Sequence, residues 1–171
     1  MTVLQDFRSS NGLYALVKQQ YTDVVLKGPD LFNASLFRDP KSTSVFYTFI
    51  SQLKSIINSA SPSLTHHFIK MLDIKKKLLR SYTQNIDGFE EQVGLVCSSS
   101  HESRHSDKAR SRLRMKDVKN VQLHGDIHKV RCTVCCASFP CLDEHLSLFS
   151  DGLPPDCPEC IARCEFMMIY L

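Results

Sequence analysis

Between Ser42 and Ser59 the apolar residues Val45, Phe46, Phe49, Ile50, Leu53, Ile56 and Ile57 recur at steps of three and four. That period lays one apolar stripe along a helix and predicts an amphipathic α-helix. After Ser61-Pro62 the pattern resumes at Leu64, Phe68, Ile69, Met71 and Leu72. It predicts a second helix with those residues as its buried face and the proline in its first turn. Lys75-Lys76-Lys77 closes the helical stretch, and Leu78 to Thr83 reads as a strand ending at the polar turn Gln84-Asn85-Ile86-Asp87-Gly88. Val121-Gln122-Leu123 predicts another short strand, which delivers His124 into a loop relieved by Gly125. Near the start, Arg8-Ser9-Ser10-Asn11-Gly12 reads as a loop entering a short helix at Leu13, with Asn-Gly as the break. The alternation of helix, strand and polar loop indicates an α/β fold.

In open parallel sheets, ligands sit beyond the carboxyl ends of the strands. Gln84, Asn85 and Asp87 occupy such a place and are binding-site candidates. Read from these residues alone, the favoured account is an Asx-type turn in which Asn85 and Asp87 bond their own backbone. His124 offers an imidazole whose unperturbed pKa of about 6.5 suits a general base. A single histidine is more often structural or at the surface.

Composition narrows the class. The chain has 171 residues, 43% of them apolar, enough for a packed interior and too many for a disordered protein. A net charge of +3 is too small to argue for nucleic acid as a partner. No apolar run approaches bilayer-spanning length, and the opening MTVLQDFRSS lacks the two halves of a signal peptide, so the chain is expected to be intracellular. In a reducing compartment its eight cysteines favour metal over disulfides.

Four of those cysteines form two tight pairs, Cys132-x₂-Cys135 and Cys157-x₂-Cys160, separated by 21 residues. Each Cys-x₂-Cys turn presents two thiolates from one loop, so two turns complete a tetrahedral zinc shell. A closed thiolate shell leaves no coordination position open, and the metal is expected to be structural. Ordinary buried thiols or disulfides are the alternative. Cys136, Cys141 and Cys164 lie close by in sequence and could serve as ligands. Cys136 ranks below Cys135, because the residue after a ligand normally turns its side chain away.

From Cys97 to Asn120 the chain is rich in serine and then basic, with Arg104, His105, Lys108, Arg110, Arg112, Arg114, Lys116 and Lys119. This reads as an exposed insertion, either a solvated loop or a contact for acidic chromatin or nuclear import factors. No aromatic residues interleave with the arginines, so no base-stacking platform is suggested. Gly-x-Gly-x-x-Gly, the P-loop and the serine nucleophile elbow are all absent, which disfavours those reaction classes.

Asp6-Phe7-Arg8-Ser9 with Gly12-Leu13-Tyr14, Thr65-His66-His67-Phe68-Ile69-Lys70, Tyr82-Thr83-Gln84-Asn85-Ile86-Asp87-Gly88, Leu123-His124-Gly125 and the two cysteine pairs follow one another in the order found in sirtuins. Over residues 5 to 160 the chain resembles a fungal nuclear-type member of that family. The resemblance implies a partial Rossmann-like domain over 1–128, with a helical insertion at about 30–75 and a basic loop at about 97–120. A zinc module over 129–162 and an atypical tail over 163–171 would follow. It implies an NAD-dependent protein-lysine deacetylase that transfers acetyl to ADP-ribose and releases nicotinamide, with an acetylated protein such as a histone as substrate and the nucleus as its compartment. It assigns His124 as general base, Asn85 and Asp87 to the nicotinamide pocket, Gln84 to the ribose, and Phe7 and Arg8 to the mobile cofactor loop. Cys132, Cys135, Cys157 and Cys160 would hold zinc, with no membrane and no specific nucleic acid as partner.

Two departures from the family pattern accompany the likeness. The Gly-Ala-Gly phosphate turn expected just before Asp6 is missing, and Ile161 to Leu171 match none of the family's later ribose and adenine loops. A shortened member with weak NAD binding is therefore expected. The rival functions are a non-catalytic zinc-binding interaction module and a nucleic-acid-binding zinc ribbon.

Overall fold

A computed structural model describes residues 33–99 and 116–163. The expected loop and helix near residues 6–21, with Phe7 and Arg8, lie outside the described residues, as do most of the basic stretch and Cys164. The chain divides into two units, 1–60 with 142–171, and 61–141.

The first unit is built on α1, Pro40–Ser59. Asp39 caps it, its carboxylate accepting the Ser42 N–H at 2.9 Å and the Ser42 hydroxyl at 2.6 Å, and Pro40 occupies the first turn. A 3-10 turn at Ala34–Arg38 precedes it and sets Phe37 edge-on to Phe46, with centroids 5.1 Å apart. The stripe is buried as its period predicts: Val45, Phe49, Leu53 and Ile57 all lie inside. It meets α4, Asp143–Ser150, where Tyr47 stacks on Phe149 and Ser51 Oγ bonds both Ser150 Oγ at 2.7 Å and the Leu146 carbonyl at 3.3 Å. Helix α5, Pro158–Arg163, completes the described part of this unit.

The second unit begins with α2, Leu64–Ile74, which Ser63 caps. The face expected to be buried is not. Leu64, Phe68, Met71 and Ile74 are exposed, and no residue of α2 is fully buried. The spacing correctly marks a helix, but one stripe does not supply a neighbour to cover it. The proline also stands two residues before the first helical residue, outside the helix and before its cap.

Strand β1 covers only Ser81–Thr83, shorter than the expected run, with Leu79 still in solvent. It pairs in parallel with β2, Asn120–Gln122, in the register Ser81↔Asn120, Tyr82↔Val121 and Thr83↔Gln122. Between them come the short helix α3, Phe89–Gln92, and buried Leu95, Cys97 and Val118. An antiparallel hairpin, β3 Lys129–Arg131 with β4 Ser138–Pro140, closes the unit. Helices with a parallel strand pair place the chain in the α/β class.

Candidate functional site

Parallel pairing sends both strands out at the same end, so the chain after Thr83 and the chain after Gln122 leave side by side. The pairing continues past the strands. Leu123 N–H donates to the Thr83 carbonyl at 2.9 Å, and Ile127 N–H to the Ile86 carbonyl at 3.0 Å. Gln84, Asn85 and Asp87 therefore share one end of the ladder with His124. Gln84, Asn85 and His124 are exposed and Asp87 is half-buried. Gly125, at φ 90°, takes the backbone conformation that lets the loop turn directly after His124.

The turn is fixed by its own polar groups. Asn85 N–H donates to Thr83 Oγ1 at 3.1 Å, and Phe89 N–H donates to Asp87 Oδ1 at 3.1 Å, at the entry to α3. The Asx-type role is thus real for Asp87, and it uses only one of the two carboxylate oxygens. Gly88, at φ 73°, supplies the left-handed step. His128 Nε2 bonds the Asp87 carbonyl at 2.8 Å, which requires that nitrogen to carry the proton, and the Asp126 carboxylate orients His128 through its backbone N–H at 2.9 Å. Asp126 and His128 brace the turn, and pattern reading missed them. Only the Asp-Ile-His run after Gly125 could have signalled them.

The cysteine pairs meet as the spacing predicts. The sulfurs of Cys132, Cys135, Cys157 and Cys160 all lie within 4.8 Å of one another. Zinc bonds of about 2.3 Å give a tetrahedron with edges of about 3.8 Å, so the quartet fits the ion with little adjustment. The local backbone also suits thiolates. Cys132 Sγ faces the N–H groups of Val134 at 3.4 Å and Cys135 at 3.5 Å, which stabilise negative sulfur. Cys132 N–H closes the turn on the Ala137 carbonyl at 2.9 Å. Cys136 is exposed at φ 61°, and the left-handed step turns its side chain away from the quartet. Cys141 also stands outside it.

Comparison with known proteins bears on the same residues. Residues 2–168 match the Sir2 family. The chain belongs to that family. It is 44% identical over 162 residues to the NAD-dependent histone deacetylase HST3 of Candida albicans, covering 95% of this chain and 33% of that protein. It is 40% identical over 161 residues to the HST3 of Saccharomyces cerevisiae, covering 93% of this chain and 35% of that one. To the NAD-dependent protein deacetylase hst4 of Schizosaccharomyces pombe it is 35% identical over 134 residues, covering 77% and 29%. This Sir2-family chain thus spans about a third of the length of the curated relatives it matches. No helix among the described residues is long and apolar enough to cross a membrane.

Proposed function

We propose that this chain carries the nicotinamide-side loops and the zinc module, residues 129–162, of an NAD-dependent protein-lysine deacetylase acting on acetylated proteins, histones among them, in the nucleus. The observation that carries the proposal is the parallel register Thr83↔Gln122 extended by the Leu123 and Ile127 bonds, which sets the amide-and-carboxylate turn beside His124. NAD, when bound, supplies the electrophilic ribose carbon and the nicotinamide leaving group. The Asn85 amide and the second oxygen of Asp87 are the donor and acceptor a carboxamide requires. Gln84 would face the ribose, and Phe7 and Arg8 would close over the cofactor, the guanidinium meeting phosphate. His124, exposed at the open end, would take up a proton from a ribose hydroxyl. The cysteine quartet holds zinc as a brace and takes no part in the chemistry.

The support is the family membership and the names of the relatives. The test is release of nicotinamide from NAD with an acetyl-lysine peptide, comparing the chain with its His124→Ala variant and measuring zinc alongside. Turnover lost in the variant supports the deacetylase. Zinc without turnover in the unaltered chain overturns it in favour of a non-catalytic zinc-binding module.

A further inference from the structure

Within residues 61–141 three metal-ligating side chains converge beside the polar turn. A ring nitrogen of His66 on α2, a carboxylate oxygen of Asp87 and one of Glu90 on α3 all fall within 4.8 Å of one another. Glu90 is only 4% exposed, and its Oε2 has no hydrogen-bond partner among the described residues. A buried carboxylate in that state is costly, and it is retained where a positive charge compensates it.

The surroundings leave ligating atoms free. His66 Nδ1 meets the Ser63 backbone N–H at 3.0 Å and Ser63 Oγ at 2.9 Å, so Nε2 is the nitrogen left for a ligand. A ligating imidazole gives the proton on its other nitrogen to an outer partner, and Ser63 Oγ stands where it can accept one from Nδ1. The exposed Ser63 N–H then turns to water. The Phe89 ring, edge-on to the imidazole at 5.5 Å and 82°, fixes the ring plane. Asp87 Oδ1 accepts the Phe89 N–H, and a carboxylate has about four acceptor sites, so ligation leaves the turn intact.

We propose that His66, Asp87 and Glu90 form a second metal site, which takes a divalent cation of the Mn²⁺ class. Two carboxylates with one imidazole make an oxygen-rich set suited to Mn²⁺, whereas the thiolate quartet selects zinc. Octahedral bonds of about 2.1 Å place ligand atoms about 3.0 Å apart at cis positions and about 4.2 Å at trans ones. Small side-chain rotations therefore close the cluster on an ion, with water in the remaining positions. The cation offsets the buried charge of Glu90 and ties α2 to the turn and to α3. The site rests on none of the roles assigned to the nicotinamide pocket.

The experiment uses the full chain equilibrated with zinc to fill the quartet, then titrates Mn²⁺ and reads the free ion by electron paramagnetic resonance. One equivalent should bind, selectively broaden the His66 ring signals in NMR and raise the melting temperature. Glu90→Gln keeps the shape and removes the charge, and His66→Gln removes the imidazole. Each should weaken Mn²⁺ at least about tenfold and lose the Mn²⁺-dependent rise in melting temperature. Glu91→Gln, at an exposed neighbour, should bind like the unaltered chain. Without Mn²⁺, Glu90→Gln should melt no lower than the unaltered chain, because it removes an uncompensated buried charge. Binding without stoichiometry, an affinity unchanged in Glu90→Gln and His66→Gln, or broadening with no preference for His66 overturns the site. A Glu90→Gln chain that melts lower without Mn²⁺ overturns it too, since the carboxylate would then already have its counter-charge.

Discussion

Gly88 and His128 are packed so closely that a methyl group on Gly88 would lie 2.7 Å from His128 Cδ2. The same histidine bonds the Asp87 carbonyl, so the bare α-carbon of Gly88 is what lets the ring cover the turn. Gly88→Ala meets two penalties, the contact and a φ of 73°. The left-handed backbone alone costs about 1–2 kcal/mol for a residue with a β-carbon. The midpoint of chemical denaturation should fall accordingly, and nicotinamide binding should weaken as His128 is displaced. An unshifted midpoint would mean that the ring is not seated there.

The sulfur quartet predicts a selective response to serine replacement. Cys132→Ser and Cys157→Ser should each fail to retain a full equivalent of zinc through gel filtration, whereas Cys136→Ser and Cys141→Ser should keep it. Metal analysis of the four variants decides the point. Full loss in Cys141→Ser would reassign the ligand set.

Cys97 and Cys136 should differ in reactivity. Burial pushes the Cys97 thiol up to about 11, with a bond from Asn120 opposing the rise and nearby carboxylates adding to it. The thiolate is the nucleophile, and about three pH units below its pKa only about one thiol in a thousand is ionised. At pH 8 iodoacetamide should therefore modify exposed Cys136 quickly and Cys97 only after unfolding. The sign for stability follows. The fold favours the neutral thiol, so this contribution is intact below the unfolded pKa and is lost as pH rises toward 11. Mass spectrometry of the labelled peptides reads the first effect, and thermal melts between pH 8 and 11 the second.

Asp39 gives the opposite pH dependence. The hydrogen bonds from the Ser42 hydroxyl and N–H hold its carboxyl below the ordinary value of 3.8. Asp39→Ala should lower the melting temperature at pH 7. The gap should close as pH falls through and below the ordinary carboxylate range, where the cap is protonated in both states. A gap independent of pH would show that the carboxylate charge contributes nothing to α1.

How far these features can be read from the chain itself depends on their reach. Helix α1 was legible because Val45, Phe49, Leu53 and Ile57 repeat the helical period and a neighbour does cover them. Helix α2 repeats it too, yet Leu64 stays 84% exposed, since a period names a face and not its partner. The polar turn and the cysteine pairs were legible because turn chemistry and chelation are local. The approach of a His66 ring nitrogen to within 4.8 Å of the Asp87 carboxylate was not, because the two are separated by a helix and a strand, and only tertiary packing brings them together. His128 escaped for the same reason.

The direction of the β1–β2 pairing has a geometric consequence. Had these two three-residue segments met as an antiparallel hairpin, the amide turn and the imidazole would have emerged at opposite tips, about 10 Å apart at roughly 3.3 Å per residue. Running the same way, they bring the amide turn and the imidazole to a single rim, and lengthening one segment by a residue would shift its loop about 3.3 Å along the ladder from the other.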